Sequence, residues 1–596
     1  MEVWLNYVVL ILIMTIFAVS LNLLLGHAGV LSSAHAALGA AGGYATAYLS
    51  LSRGWSPWLA LLVGVVVATA VGLLLAVPSL PLSPEYLILL TLVAGEALLT
   101  VISANRSLGG TFGLTNLPRA VLFGQVLDRA TAWVLPLTLI TAAVFALCWR
   151  LGESPYGRVL RATRDDDRAA AAVGTHIFGY RLWVFGITSG LAGLGGGLYA
   201  MYLGVASPQV FSFDVSMAIF SMVVLGGMGN LVGSVLGASA LTLITPVMQR
   251  VVELPPERAS FVRIAIYGLL LVLLVRFRPE GLLPEYWGRR ARAGAGAADA
   301  NDEPPAELAA RVRSHGLNHG PTSAMRSGAA VVPAREPADA DGEAVALRAR
   351  GLGKRFGGVV AAENLDLDLP TGTITALVGP NGAGKTTVFN LLTGFLRPDA
   401  GAVELLGADV SGLRPDQIAR AGLIRTFQDV RLWPRMSVLD NVALAVPDQP
   451  GERIGPLLTD PAAVARRERE VRDQAHAWLG FVGLADRGDD LAGSLSYGQS
   501  KLISLARAMA SQAPVVLLDE PVSGVDTAWA DVMLALVDAM RAAGRTICLV
   551  EHNLHVVEQL ADQAYFMDLG RIIARGTMAE LTSSADLART YFGLST

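Results

Sequence analysis

The stretch Gly379-Pro-Asn-Gly-Ala-Gly-Lys385-Thr386-Thr387 decides how the second half of this chain folds. It fits G-x-x-x-x-G-K-[ST], a loop that cradles phosphate groups between a strand and a helix. The context agrees. Thr373 to Val378 reads as a buried strand and Val388 to Thr393 as the start of a helix. Glycines let successive backbone N–H groups turn inward around an anion, and the helix N-terminus adds its positive dipole end. Gly379, Asn381, Gly382, Gly384, Lys385, Thr386 and Thr387 are therefore the candidate phosphate-binding residues. Lys385 is expected to reach the outer phosphates of a nucleotide and Thr386 to hold Mg²⁺.

Composition separates this half from the rest. Of 596 residues, 53% are hydrophobic and 16% charged. The mean hydropathy is +0.49, too apolar for a purely soluble protein. From Met1 to Val101 the only charged residues are Glu2, Arg53, Glu85 and Glu96. The net charge of −4 gives no nucleic-acid footprint. Cys148 and Cys548 lie in apolar stretches, so a disulfide framework is not expected. The N-terminus lacks a basic n-region and a small-residue cleavage site, and reads as a first span.

Apolar runs near Tyr7–Leu25, Leu31–Leu51, Trp58–Val77, Tyr86–Ser103, Trp133–Trp149, Leu182–Leu203, Ser212–Leu225, Leu231–Met248 and Phe261–Phe277 approach bilayer length. Glycines cluster at 39–43 and 193–197, where small residues permit close helix packing or broken helices around a cavity. Arg158, Arg161, Arg164, Arg168 and the basic stretch 276–292 predict cytoplasmic loops. Residues 291–344, rich in Ala, Arg, Pro and Gly, read as a flexible tether. The expected architecture is an all-α polytopic membrane domain over 1–290, a linker over 291–344, and an α/β phosphate-loop domain over 345–596.

Val515-Val-Leu-Leu-Asp519-Glu520 reads as a strand buried on both faces and ending in two acids. Asp519 can order Mg²⁺ through water, and Glu520 is placed to polarise an attacking water. Glu96 lies within an apolar span, where an ionisable group needs a cavity or a partner. Both readings, a substrate path and a packing contact, stay open.

Leu495-Ser-Tyr-Gly-Gln-Ser-Lys501 resembles the signature sequence of ABC ATPases. That resemblance implies ATP and Mg²⁺ as ligands and gives roles to further positions. Ser496, Gly498 and Gln499 would meet nucleotide. Phe356 would stack on adenine, Gln428 would touch Mg²⁺ and the membrane domain, Asp526 would contact a second ATPase, and His552 would contact the γ-phosphate. Tyr497 departs from the usual glycine.

Phe389-Asn-Leu-Leu-Thr-Gly-Phe395, Ile424 to Leu432 and the closing Tyr591-Phe-Gly593 are similar to the ATPase of branched-chain amino-acid ABC importers. The membrane half independently resembles that system's permease, in Ser20 to Gly29, Thr91 to Glu96, Gly109 to Gly113, Ser154 to Arg161 and Phe277 to Gly281. The resemblance implies a permease fused to its ATPase in a bacterial cytoplasmic membrane, with the ATPase on the cytoplasmic side and lipid around the spans. It implies a second permease, a second ATPase (or a second copy of this chain) and an extracytoplasmic solute-binding protein. A helix over Glu153–Val173 would dock on the ATPase near Gln428. The same family includes importers of urea, short amides and aromatic acids. A lipid or drug exporter, or flippase, is the rival of another class. A soluble ABC protein is excluded by the spans, and an ATP-gated channel is disfavoured by Glu520 and His552.

Overall fold

The computed structural model describes residues 2–250, 256–286, 305–315 and 344–583. The closing Tyr591-Phe-Gly593 lies outside them. The chain divides into two compact units: residues 1–164 with 177–290, and residues 165–176 with 291–596.

The first unit is a helical bundle. Its helices are α1 (Glu2–Asn22), α2 (His35–Ser52), α3 (Pro57–Ser79), α4 (Pro84–Ala104), α5 (Ala130–Gly152) and α6 (Pro155–Asp165). After α7 (Asp167–Ala172), which belongs to the second unit, come α8 (Ile177–Leu203), α9 (Phe213–Gly226), α10 (Leu231–Arg250) and α11 (Pro256–Phe277). Among the described residues seven segments are long and apolar enough to cross a membrane: Glu2–His27, α3, α4, α5, α8, Pro208–Gly226 and Leu231–Gln249. α2 is not one of the seven although Leu31–Leu51 reads as a span; it packs against α3 and α8. The α2–α8 contact is closed by glycine. A Cβ on Gly42 would lie 2.4 Å from Cα of Gly193, and one on Gly196 would lie 2.0 Å from the carbonyl oxygen of Gly39.

α1 runs into a π-helical turn, Leu23–His27. Asn22 at its start explains why this stretch is built as it is. Its amide donates to Ser234 Oγ at 2.7 Å and to the Asn230 carbonyl at 2.8 Å, and Oδ1 accepts from Gly229 N at 2.8 Å. A Cβ on Gly26 would lie 2.0 Å from that Oδ1, so only glycine fits. Arg164 on α6 donates to the Gly26 carbonyl and pairs with Glu285 at 3.0 Å. The expected cytoplasmic arginines are thus structural as well: Arg158 is buried, and Arg161 is buried and paired with Glu153 at 3.3 Å.

The second unit is an α/β domain. Its main sheet runs in the order Leu423–Arg425, Val515–Asp519, Thr546–Val550, Ile374–Val378, Gln563–Asp568, Arg571–Gly576; all pairs are parallel except the last. Strand alternation sends residues to two cores. Ala376, Leu518 and Leu549 join one cluster, while Leu377, Leu517 and Cys548 join the other. A sheet covered on both faces is why these strands read as unbroken apolar runs. A second, antiparallel sheet has the order Val359–Pro370, Val345–Phe356, Ala400–Leu405, Ala408–Asp409. Both cysteines are free and buried.

Within the segment that reads as a tether, residues Pro305–His315 form helix α12. Leu308, Ala309 and Val312 are buried in a cluster with Val532 and Leu536 of helix Thr527–Ala542. Arg311 donates to the Gly480 carbonyl at 3.2 Å. Spacing of i, i+1, i+4 gives α12 one apolar face, too short to stand out from an Ala-rich stretch. The rest of that segment lies outside the described residues, apart from Ala344.

Candidate functional site

Strand Ile374–Val378 delivers the chain into the phosphate loop, and helix Lys385–Leu392 begins at the lysine itself. Gly384 caps that helix at φ +102°, and a Cβ there would lie 2.4 Å from the Ala361 carbonyl oxygen. No side chain fits such a turn. Gly379 is buried, whereas Asn381, Gly382 and Thr386 are exposed and Thr387 is half-buried. Lys385 Nζ donates to the carbonyls of Gly379 and Pro380 at 2.6 and 2.9 Å, which holds it across the loop. Burial pushes its ammonium below the ordinary lysine range, against the pull of Glu520 and Asp519.

The two acids at the end of Val515–Asp519 differ in setting. Asp519 is buried and pairs with Arg425 at 2.7 Å. Burial pushes its carboxyl up, and Arg425 opposes that. Glu520 sits at φ +46°, a strained backbone for a non-glycine residue. It is held from both sides: its N–H donates to Val550 O at 3.0 Å and its carbonyl accepts from Lys501 Nζ at 2.7 Å. Its carboxylate accepts from Gln428 Nε2 at 3.0 Å, and His552 Nδ1 lies 3.8 Å away. A cavity of about 230 Å³ brings together Thr386, Asn390, Arg425, Gln428, Asp519 and Arg168.

Ser496, Gly498, Gln499 and Phe356 do not line that cavity. Ser496 caps helix Tyr497–Ala510 in a reciprocal box: its Oγ accepts from Gln499 N at 3.3 Å, and its N–H donates to Gln499 Oε1 at 2.9 Å. Tyr497, in the place where glycine is usual, is exposed and lies under Lys501 Nζ at 5.5 Å. Phe356 is 47% exposed, with Lys354 Nζ 5.8 Å from its ring. A core aromatic would be covered, and Phe356 is not.

The cytoplasmic loop helix expected over Glu153–Val173 is broken at Asp166. That residue is extended and caps α7 through Ala169 N at 2.9 Å. Residues Asp165–His176 belong to the same unit as the α/β domain. Asp166 pairs with Arg431 at 2.8 Å, and the Gly174 carbonyl accepts from Arg420 Nε at 2.8 Å. Arg168 shares the cavity with Gln428. Arg161, a natural choice for perturbing this contact from sequence alone, belongs to the other unit and is buried there.

Arg425, Arg431 and Lys501 lie within the motifs but have no role legible from sequence, and Asp166 and the fully buried Glu551, which accepts from Val522 N at 3.3 Å, lie outside them. Buried charges inside a motif were the available signal.

Comparison with known proteins covers both units. Residues 3–274 match the family described as "Branched-chain amino acid transport system / permease component", and residues 362–523 match "ABC transporter". The α/β domain is 38% identical over 248 residues to the high-affinity branched-chain amino acid transport ATP-binding protein LivG of Salmonella typhimurium, covering 41% of this chain and 97% of that protein. LivG of Escherichia coli is 37% identical over the same shares, and BraF of Pseudomonas aeruginosa 35%. Among solved structures it resembles a nucleotide-free ATP-binding cassette from an ABC transporter, at 30% identity, 42% of this chain, 100% of that one and TM-score 0.37. A cassette in its ADP conformation gives 32% identity, 42% and 99% coverage and TM-score 0.37. With its membrane-spanning helices and its phosphate-loop ATPase in one polypeptide, the chain belongs to the ABC transporter family as a multi-pass permease of the branched-chain amino acid type joined to its own ATP-binding cassette.

Proposed function

We propose that this chain is half of an ATP-driven importer of branched-chain amino acids in a bacterial cytoplasmic membrane, with its cassette in the cytoplasm. One observation carries the reading: two independent halves of one polypeptide match components of the same transport system. The permease match also favours import over the exporter or flippase reading.

The chemistry rests on named groups. The phosphate-loop N–H groups and Lys385 hold the phosphates of ATP, and Phe356 stacks on its adenine. Thr386, Gln428 and Asp519 fit Mg²⁺, because each has a side-chain oxygen to offer around one cavity: a hydroxyl, the amide oxygen left when Gln428 Nε2 bonds Glu520, and a buried carboxylate. When bound, that ion neutralises charge across the phosphates. Glu520 takes the proton of the attacking water, and its strained, doubly anchored backbone holds the carboxylate in place beforehand. Gln428 holds one carboxylate oxygen by a hydrogen bond, and His552 lies 3.8 Å from the other, near where the γ-phosphate would sit.

The resemblance to ABC ATPases supports a nucleotide site completed by Ser496, Gly498 and Gln499 of a second cassette; in this chain those residues do not line the cavity that holds Thr386, Gln428 and Asp519. A second permease is supported by Glu96, which is exposed on α4 and makes no side-chain contact to another helix among the hydrogen bonds of the described residues. An extracytoplasmic binding protein would deliver the solute.

The test is mass-spectrometric identification of the ligand on the binding protein that co-purifies with the tagged chain. A branched-chain amino acid supports the reading. Urea, a short amide or an aromatic acid would replace the substrate. A complex that moves lipid or drug outward would overturn import itself.

A further inference from the structure

The segment Arg425-Thr-Phe-Gln428 holds both acids at the end of the neighbouring strand. Arg425 Nη2 donates to Asp519 Oδ2 at 2.7 Å, with both side chains 3% exposed. Thr426 Oγ1 accepts from Asp519 N at 3.3 Å. Gln428 donates to Glu520. Strand register makes this possible: Arg425 pairs with Leu517, so residues 426–428 run on beside 518–520.

We propose that Arg425 is a positioning residue for the Mg²⁺-holding carboxylate of Asp519, which it pins against the helix that follows the phosphate loop. That assignment rests on the proposed role of Asp519. The second anchor is Asn390, one turn into that helix from Thr386, whose Oδ1 accepts from Arg425 Nη1 at 2.5 Å. The guanidinium therefore ties the acid of one strand to the helix that carries Thr386. It also lies 5.4 Å from the Phe389 ring and 5.1 Å from the Phe427 ring. A buried carboxylate needs a paired charge. A planar fork that binds two oxygens and stacks on two rings meets all four contacts at once, and a lysine ammonium cannot. The Phe427 ring carries a second guanidinium, that of Arg431 at 5.3 Å, which is the one paired to Asp166 of the cytoplasmic loop. The same stack that fixes Asp519 thus begins at the loop contact.

Groups that orient a metal ligand typically govern metal affinity by about 10- to 100-fold. The experiment compares Arg425→Lys, Asn390→Ala and Asp519→Asn in the full complex in nanodiscs. Binding of a fluorescent ATP analogue in EDTA reports the phosphate loop and the fold. Mn²⁺ affinity in the presence of a non-hydrolysable ATP analogue, read by electron paramagnetic resonance, reports the metal site. The proposal expects Arg425→Lys to weaken Mn²⁺ by about tenfold or more, with nucleotide binding in EDTA within about twofold of wild type. Asn390→Ala, which keeps the charge and removes one anchor, should move Mn²⁺ affinity the same way by a smaller factor. If Arg425→Lys loses nucleotide binding in EDTA through misfolding, Asn390→Ala decides alone. Wild-type Mn²⁺ affinity in folded Arg425→Lys and Asn390→Ala overturns the positioning role. Unchanged Mn²⁺ affinity in Asp519→Asn overturns instead the underlying assignment of Asp519.

Discussion

Gln428 and Glu520, 92 residues apart in sequence, are joined by a 3.0 Å hydrogen bond from the amide Nε2 to carboxylate Oε2. The bond places the residue that follows Phe427 on the group proposed to activate water. Glu520 cannot relax away from it, because its N–H and its carbonyl are both bonded elsewhere.

Glu520→Gln should bind ATP normally and lose turnover by about 100-fold or more, the range for removing a general base. The amide keeps the shape but accepts no proton. Lys385→Ala should instead weaken ATP binding itself. Steady-state ATPase activity beside nucleotide affinity in the assembled complex distinguishes the two, and wild-type turnover in Glu520→Gln would move the base elsewhere.

Coupling should be separable from hydrolysis at Asp166. Its pair with Arg431 is partly exposed, so losing the pair costs about 1 kcal/mol or less in stability, and losing its cap on α7 adds about 1 kcal/mol. A packed contact can nevertheless transmit a rearrangement that a disordered chain cannot. Asp166→Ala should leave basal ATPase within about twofold and nucleotide affinity unchanged. Stimulation by loaded binding protein should fall. Undiminished stimulation in Asp166→Ala and in variants of Arg420 would place the coupling contact outside residues 165–176.

The linker should tolerate change in one part and resist it in another. Residues 316–340, which read as a tether in the sequence, should preserve uptake when replaced by a Gly/Ser chain of equal length, because a tether is limited by its reach. Leu308→Ala should destabilise the cassette by about 2–5 kcal/mol, as for a buried leucine elsewhere. Thermal unfolding followed by a cassette tryptophan reads the difference. Equal midpoints for Leu308→Ala and wild type would mean that α12 is not part of the cassette's core.

Much of this was legible in the sequence because local rules and the global fold agree. Val515 to Asp519 reads as a strand since both its faces are covered, and it is one. The phosphate loop sits between a strand and a helix, as its motif requires. Other features need three dimensions. No local pattern tells that Arg425 reaches Asp519, 94 residues on, because the pairing depends on their two strands lying side by side. α12 hides in an Ala- and Arg-rich stretch because three small or medium apolar residues suffice once helix Thr527–Ala542 receives them. The break at Asp166 falls in the run Asp165-Asp166-Asp167, whose preference for N-caps is a local signal that the Ala-rich stretch beyond it outweighs when the segment is read as one helix.

The central claim is that this chain drives a branched-chain amino acid inward at the expense of ATP. Uptake of radiolabelled leucine tests it most directly, in proteoliposomes holding the purified complex with binding protein on the outside and ATP trapped in the lumen, where the cassettes of the transport-competent molecules face. The account predicts accumulation that requires hydrolysable ATP, is competed by isoleucine and valine but not by urea, and is abolished by Glu520→Gln in this chain. Leucine movement that is equal without ATP, or unaffected by Glu520→Gln, would contradict it.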